Sequence, residues 1–166
     1  MWDEMERLFR SSPRRMDVAS RLLMLGLSCN DDLRIFCEDI EVPVKKMADT
    51  MGVDRRVVTA TIEDLMGNAT LRPVFLSLRP RAFLRDAAKA IDWGVVEVEA
   101  SPETVGIVAA ISSIIAEYGL SIRQVVADDP NLYPAPKLTI ITGERIPPEL
   151  LELFLGVKGV KKISIY

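Results

Sequence analysis

Hydrophobic positions follow two rhythms along this chain, and the change falls near Asp92-Trp93. On the amino-terminal side apolar residues recur every three or four positions, the period of an α-helix with one buried face. Trp2, Met5, Leu8 and Phe9 predict a short amphipathic helix. Ser12-Pro13 offers a cap followed by proline at the first helical position, and Met16, Ala19, Leu23 and Leu27 carry a stripe to about Gly26. Asn30-Asp31-Asp32 signals a turn. Leu33 to Cys37 alternates as a short strand, with Ile40 and Val42 as its hairpin partner. Further on, Arg72-Pro73 and Arg79-Pro80 bracket an expected extended link, and Arg81 to Ile91 an expected connecting helix.

The stretch 43–66 has the pattern of a helix-turn-helix. Pro43 starts a helix in which Val44, Met47, Ala48 and Met51 share one face. Gly52 stops it by tolerating a left-handed turn, Val53 plugs the corner, and Asp54 caps a second helix. In that second helix Val58, Ile62 and Leu65 form the inward stripe, while Arg55, Arg56, Thr59 and Glu63 point outward. Arg55, Arg56 and Thr59 are therefore the candidate DNA contacts, because the start of a recognition helix reaches base edges and phosphates. An ordinary packed helix pair with solvated arginines has the same spacing.

After Asp92 the runs shorten and become β-rich. Val95 to Val98 alternates as a strand, and Ser101-Pro102-Glu103 predicts the opening of a helix buried through Ile107, Ala110, Ile111, Ile114 and Ile115. Gly119 closes that helix. Leu120 to Val126 is a second strand, Asp128-Asp129-Pro130-Asn131 a turn rather than a metal site, and Lys137 to Thr142 a third strand. Pro147-Pro148 starts a helix bearing Leu150, Leu151, Phe154 and Leu155, and Val160 to Tyr166 is a last strand. The order is β-α-β-β-α-β, a ferredoxin-like arrangement with helices on one sheet face.

Charge and composition narrow the function. The part before the change of rhythm carries 15 Lys+Arg and 15 Asp+Glu, the part after it 6 and 9. Neither is basic enough to announce nucleic acid by charge alone. The chain has no histidine, which removes His-dependent triads, His-ligated metal and the usual neutral-pH proton shuttle. Cys29 and Cys37 form no CxxC, and no glycine-rich phosphate loop occurs. No catalytic residue, metal or cofactor is therefore expected, and the chain reads as a non-enzyme. No apolar run approaches the ~20 residues of a bilayer span. The charged amino terminus lacks the apolar core of a signal peptide, so a cytoplasmic location is expected.

The second half resembles the ACT domain, the small effector-binding module of amino-acid metabolism. Val95-Val-Glu-Val-Glu99, Glu103-Thr-Val-Gly106, Tyr118-Gly-Leu-Ser-Ile122 and Val157-Lys-Gly-Val160 carry the likeness. With Gly52-Val-Asp-Arg-Arg-Val-Val58 and the stretch from Asp128 through Pro136 to Ile141, the whole chain is similar to the archaeal predicted regulators of amino-acid metabolism. These join a helix-turn-helix region to a carboxy-terminal ACT domain. The resemblance implies an amino-acid effector bound at a subunit interface, between the loop at Glu103, Thr104, Val105 and Gly106 and the second strand at Ser121, Arg123 and Gln124. Glu103 stands at the family's acidic position, Val105 replaces its proline, Gly106 matches its glycine, and Ser121 stands where asparagine is common.

The expected protein is thus α+β, with a mainly helical helix-turn-helix domain at 1–79 that includes a short β-hairpin, a connecting helix at 80–92 and an ACT-like domain at 93–166. A four-stranded sheet of this order has two open edges, which predicts a homodimer through the ACT-like domain. The expected function is effector-controlled DNA binding by a regulator of amino-acid metabolism. The alternative is an interaction subunit that binds no DNA and docks its helical half on a partner protein.

Overall fold

A single amphipathic helix cannot hide its own stripe, so the stripes of the first half are buried against one another. In the computed structural model, which describes residues 1–101 and 103–166, the chain forms two compact units, Met1–Ala82 and Phe83–Tyr166. The first contains α1 (Trp2–Phe9), α2 (Pro13–Leu25), β1 (Ser28–Cys29), β2 (Ile35–Cys37), β3 (Ile40–Val42), α3 (Val44–Met51), α4 (Arg55–Gly67) and α5 (Arg72–Ser77). Met5, Leu22, Ile35, Ile62, Leu65, Leu71 and Phe75 are fully buried in one core. Each such aliphatic or aromatic side chain contributes about 1.5–3 kcal/mol through removal from water.

The helix pair α3–α4 is built as its sequence predicts. Gly52 sits at φ 64°, its N–H donates to Asp49 O at 3.3 Å, and the Val53 N–H donates to Ala48 O at 3.1 Å. The carbonyls left open at the end of α3 are thereby satisfied. Asp54 then accepts the Arg56 N–H at 2.7 Å and caps α4. Because this bond satisfies a backbone donor that α4 cannot satisfy itself, Asp54→Ala is expected to cost about 1 kcal/mol. Urea denaturation should show that loss as a lower midpoint with an unchanged slope.

Three details of this unit differ from the sequence pattern. The hairpin β2–β3 is extended by β1, which pairs antiparallel with β2 through Ser28↔Phe36 and Cys29↔Ile35. Burial pushes the Cys29 thiol up to about 12, so it remains protonated and inert. The expected extended link after Arg72-Pro73 is instead α5. Proline there occupies the first turn of a helix, the Asn68 side chain accepts the Thr70 and Leu71 N–H groups, and Leu71 and Phe75 bury one face. Thr59 is half-buried rather than fully outward.

The second unit opens with α6 (Arg85–Ala88) and one 3-10 turn (Lys89–Ile91). The helix expected from Arg81 is confined to these residues. The Leu84 N–H is taken by the Gln124 side chain at 3.0 Å, and Asp92 ends the segment in the left-handed region at φ 55°. Then follow β4 (Gly94–Ala100), α7 (Ile107–Glu117), β5 (Ile122–Ala127), β6 (Leu138–Thr142), α8 (Leu150–Leu155) and β7 (Val160–Ile165). The strands form one antiparallel sheet in the order β5-β6-β4-β7, with β5 and β7 at its edges.

The two sheet faces have different cores. Val96, Val98, Leu138 and Ile140 pack with Ile111, Ile115, Leu150 and Phe154 of α7 and α8. On the opposite face Val95 and Ile141 pack with Leu84, Ala88 and Trp93 of the segment that precedes β4. Helix α7 starts at Ile107, with Gly106 as its cap residue at φ 90°, not at Ser101-Pro102-Glu103. Pro102 lies outside the described residues. The Ser101 N–H donates to Gly159 O at 3.1 Å, and the Thr104 N–H to Ser101 O at 3.0 Å. Those bonds hold Ser101 and Thr104 ahead of the helix.

Candidate functional site

The first candidate surface is the start of α4. Arg55 and Arg56 are exposed in its first turn, and Thr59 lies one turn further on. Neither arginine has an ion pair among the described residues, and the same holds for the exposed Lys45 and Lys46 of α3. The acids of α4 are not equivalent. Asp64 is paired with Arg15 at 2.6 Å, whereas Glu63 is exposed. The pairing removes one of the two negative charges that would oppose a phosphate along this helix.

The expected effector residues occupy opposite ends of the sheet. Ile122 pairs with Thr142, which pairs with Gly94, so Ser121, Arg123 and Gln124 stand beside the start of β4. Glu103 to Gly106 follow the other end of β4, some six residues and about 20 Å away along the strand. One chain does not bring the two groups together.

At the lower end Arg123 stacks over the Trp93 ring, 5.4 Å from its centre, and the Gly143 N–H donates to Ser121 O at 2.8 Å. At the upper end Glu103 and Gly106 are exposed and Val105 is 97% exposed. Thr104 is half-buried against Gly159. A Cβ on that glycine would stand 2.6 Å from the threonine side chain, so only glycine permits the contact.

A cavity of about 180 Å³ opens beside this upper loop. Its walls are mainly apolar: Val98 and Ala100 of β4, Ile107 and Val108 of α7, Ala127 of β5 and Leu138 of β6. Ser101, Thr104, Asp128 and Lys137 contribute the polar part of its lining. Among the described residues no side chain caps the first turn of α7. Asp128 accepts the Lys137 N–H at 3.1 Å and has no ion pair among the described residues.

The charged centre of this unit is one that the pattern of residues conceals. Glu97 lies on the sheet face opposite α7 and α8, 5% exposed. It accepts hydrogen bonds from the Arg85 guanidinium, from Lys137 Nζ at 3.0 Å and from the Tyr166 hydroxyl at 3.4 Å. Burial pushes its carboxyl up, but the bonds from Arg85 and Lys137 outweigh that and hold it below the ordinary value of 4.5. The same bonds raise both cations. Alternation in Val-Val-Glu-Val-Glu points Glu97 to solvent. The signal that could have revealed its burial is the apolar Leu84, Ala88 and Trp93, which cover that face.

Among the described residues no group of three Cys, Asp or Glu side chains could hold a metal ion, and no helix is long and apolar enough to cross a membrane. No family model and no curated protein matches the chain. Among solved structures it is similar to a transcriptional regulatory protein of the AsnC family from Pyrococcus furiosus, at 12% identity over 75% of this chain and 77% of that one, TM-score 0.28. It is also similar to an AsnC family transcriptional regulator from Agrobacterium tumefaciens, at 14% identity over 78% and 80% of the two chains, TM-score 0.28.

Proposed function

We propose that the chain is a cytoplasmic, non-catalytic regulator of amino-acid metabolism. Its carboxy-terminal unit is read as a ferredoxin-like, ACT-type module that dimerises and binds an amino acid, and its amino-terminal unit as a helix-turn-helix that contacts DNA. The observation that carries the reading is the largely apolar cavity between β4, β5 and the uncapped start of α7. An anionic group is favoured at a helix start, and a small organic ligand needs a concave, mostly apolar seat.

Strand β5 forms one edge of the sheet, where a second chain can pair across a two-fold axis. Such a dimer presents two α4 helices to half-sites about 34 Å apart or a multiple of it. An effector changes DNA binding to the extent that it favours one arrangement of the dimer over another.

The DNA arm is tested with genomic fragments across a salt series. Wild type should lose affinity steeply as salt rises, since phosphate contacts release counterions. The double variant Arg55→Ala, Arg56→Ala should bind more weakly, with the logarithmic slope shallower by about 2, one for each arginine. If wild type shows no salt-sensitive retention, the DNA reading is overturned. The net-zero charge of the amino-terminal stretch then favours docking of the helical unit on a partner protein.

A further inference from the structure

The cavity beside α7 also selects among effectors. We propose that it takes a free α-amino acid with an aliphatic side chain, and that Asp128, rather than Glu103, receives the ammonium group. This rests on reading the carboxy-terminal unit as an effector-binding module and goes beyond it by naming the ligand class and its anchor.

Shape and polarity give the class. A dry cavity of roughly 150 Å³ lined by aliphatic and aromatic side chains holds a molecule the size of benzene. The volume here is about 180 Å³ and opens to solvent, so a four-carbon side chain fits with its charged backbone groups at the mouth. The walls formed by Val98, Ile107, Ala127 and Leu138 provide no partner for a buried amide or carboxylate. A polar side chain laid against these four walls would lose part of its water and meet no partner there, at a cost of roughly 1–3 kcal/mol per unsatisfied group.

Charge gives the anchor. Asp128 lines the cavity, is half-buried and has no ion pair among the described residues, while one of its oxygens is held by the Lys137 N–H. That bond fixes the carboxylate and leaves its second oxygen for an incoming cation. Glu103, the acid that the family resemblance singles out, is exposed and is not part of the cavity lining. A charge exposed to water attracts an ammonium group far less than a half-buried one. Lys137 does not compete for Asp128, because its ammonium is engaged by Glu97 on the other face of the sheet.

The test uses the full chain, with thermal shift and calorimetric titration against each of the twenty amino acids. Leucine, isoleucine, valine or methionine should raise the Tm by several degrees, and polar amino acids should not. Ala127→Leu, an exposed edge-strand change that fills the cavity, should abolish the shift without lowering the Tm of the free protein. Asp128→Asn, which keeps an acceptor for the Lys137 N–H, should weaken binding at least tenfold, as expected for a hydrogen bond to a charged group. Glu103→Gln should leave it unchanged.

Stabilisation by a polar amino acid that survives Ala127→Leu overturns this assignment while the effector reading stands. So does an aliphatic ligand that is lost with Glu103→Gln and kept with Asp128→Asn. A flat response to all twenty in wild type removes the effector reading itself, and this assignment with it.

Discussion

Gly26→Ala is expected to destabilise the amino-terminal unit by about 3 kcal/mol, whereas Gly52→Ala should cost only about 1–2 kcal/mol. The two glycines have nearly the same backbone, at φ 63° and 64°, and both end a helix. A side chain at either position therefore pays the strain of the left-handed region. Their surroundings differ. A Cβ on Gly52 meets nothing within 4 Å, while one on Gly26 would stand 2.5 Å from Arg79 O and 2.8 Å from Pro80 Cα. Those are backbone atoms, so no rotamer change relieves the contact, and the 79–80 segment must move away from the end of α2.

One tryptophan lies in each unit, Trp2 in the first and Trp93 in the second. In a Trp93→Phe background the fluorescence of Trp2, which packs on the first core, reports the amino-terminal unit alone. Urea titrations of both glycine variants in that background give the comparison. Equal losses would show that chain conformation alone, and not the approach of residues 79–80, sets the cost at Gly26.

The parts of the fold that were legible in the sequence are those whose signals lie within one short window. The α3–α4 corner is an example. The apolar period of Val44, Met47, Ala48 and Met51, the stop at Gly52 and the cap at Asp54 are all local, and each has the role that its residue type suggests. The strand and helix order of residues 94–165 was legible for the same reason.

Signals failed where tertiary contacts decided between two local possibilities. Proline at 73 permits an extended link or the first turn of a helix, and burial of Leu71 and Phe75 selects the helix. Ser101-Pro102-Glu103 has the composition of a helix start, yet the bond from Ser101 to Gly159, 58 residues away, keeps Ser101 outside α7. The candidate site shows the same division. Exposed Arg55 and Arg56 follow from helical period alone. The separation of Glu103 from Ser121 depends on strand register, which places them at opposite ends of the sheet.

Glu97→Gln carries the other large effect, a loss of about 3 kcal/mol in the carboxy-terminal unit near neutral pH. Glu97 is the anion that Arg85 and Lys137 share on a covered sheet face, and the side chains of both cations are about two-thirds covered. Glutamine has the same shape, so the loss is not one of packing. A neutral amide can accept one of the two bonds, but it turns a donor toward the other cation; Arg85 keeps only the exposed Asp86, and Lys137 has no other ion pair among the described residues.

The pH dependence follows from the lowered carboxyl. Burial alone would raise it, but Arg85 and Lys137 hold it below 4.5 in the folded chain, while the unfolded chain titrates at the ordinary value. Such a group contributes its full stability above the unfolded value and loses it as pH falls through the folded one. The gap between wild type and Glu97→Gln should therefore stay constant from neutral pH down to about 5, and close on further acidification. In a Trp2→Phe background, Trp93, which packs beneath the same sheet face, reports this unit in urea titrations at each pH. A gap that is absent at neutral pH would show that the two cations gain nothing from the anion. One that persists undiminished well below the ordinary carboxyl value would place the cost of the substitution in packing rather than in charge.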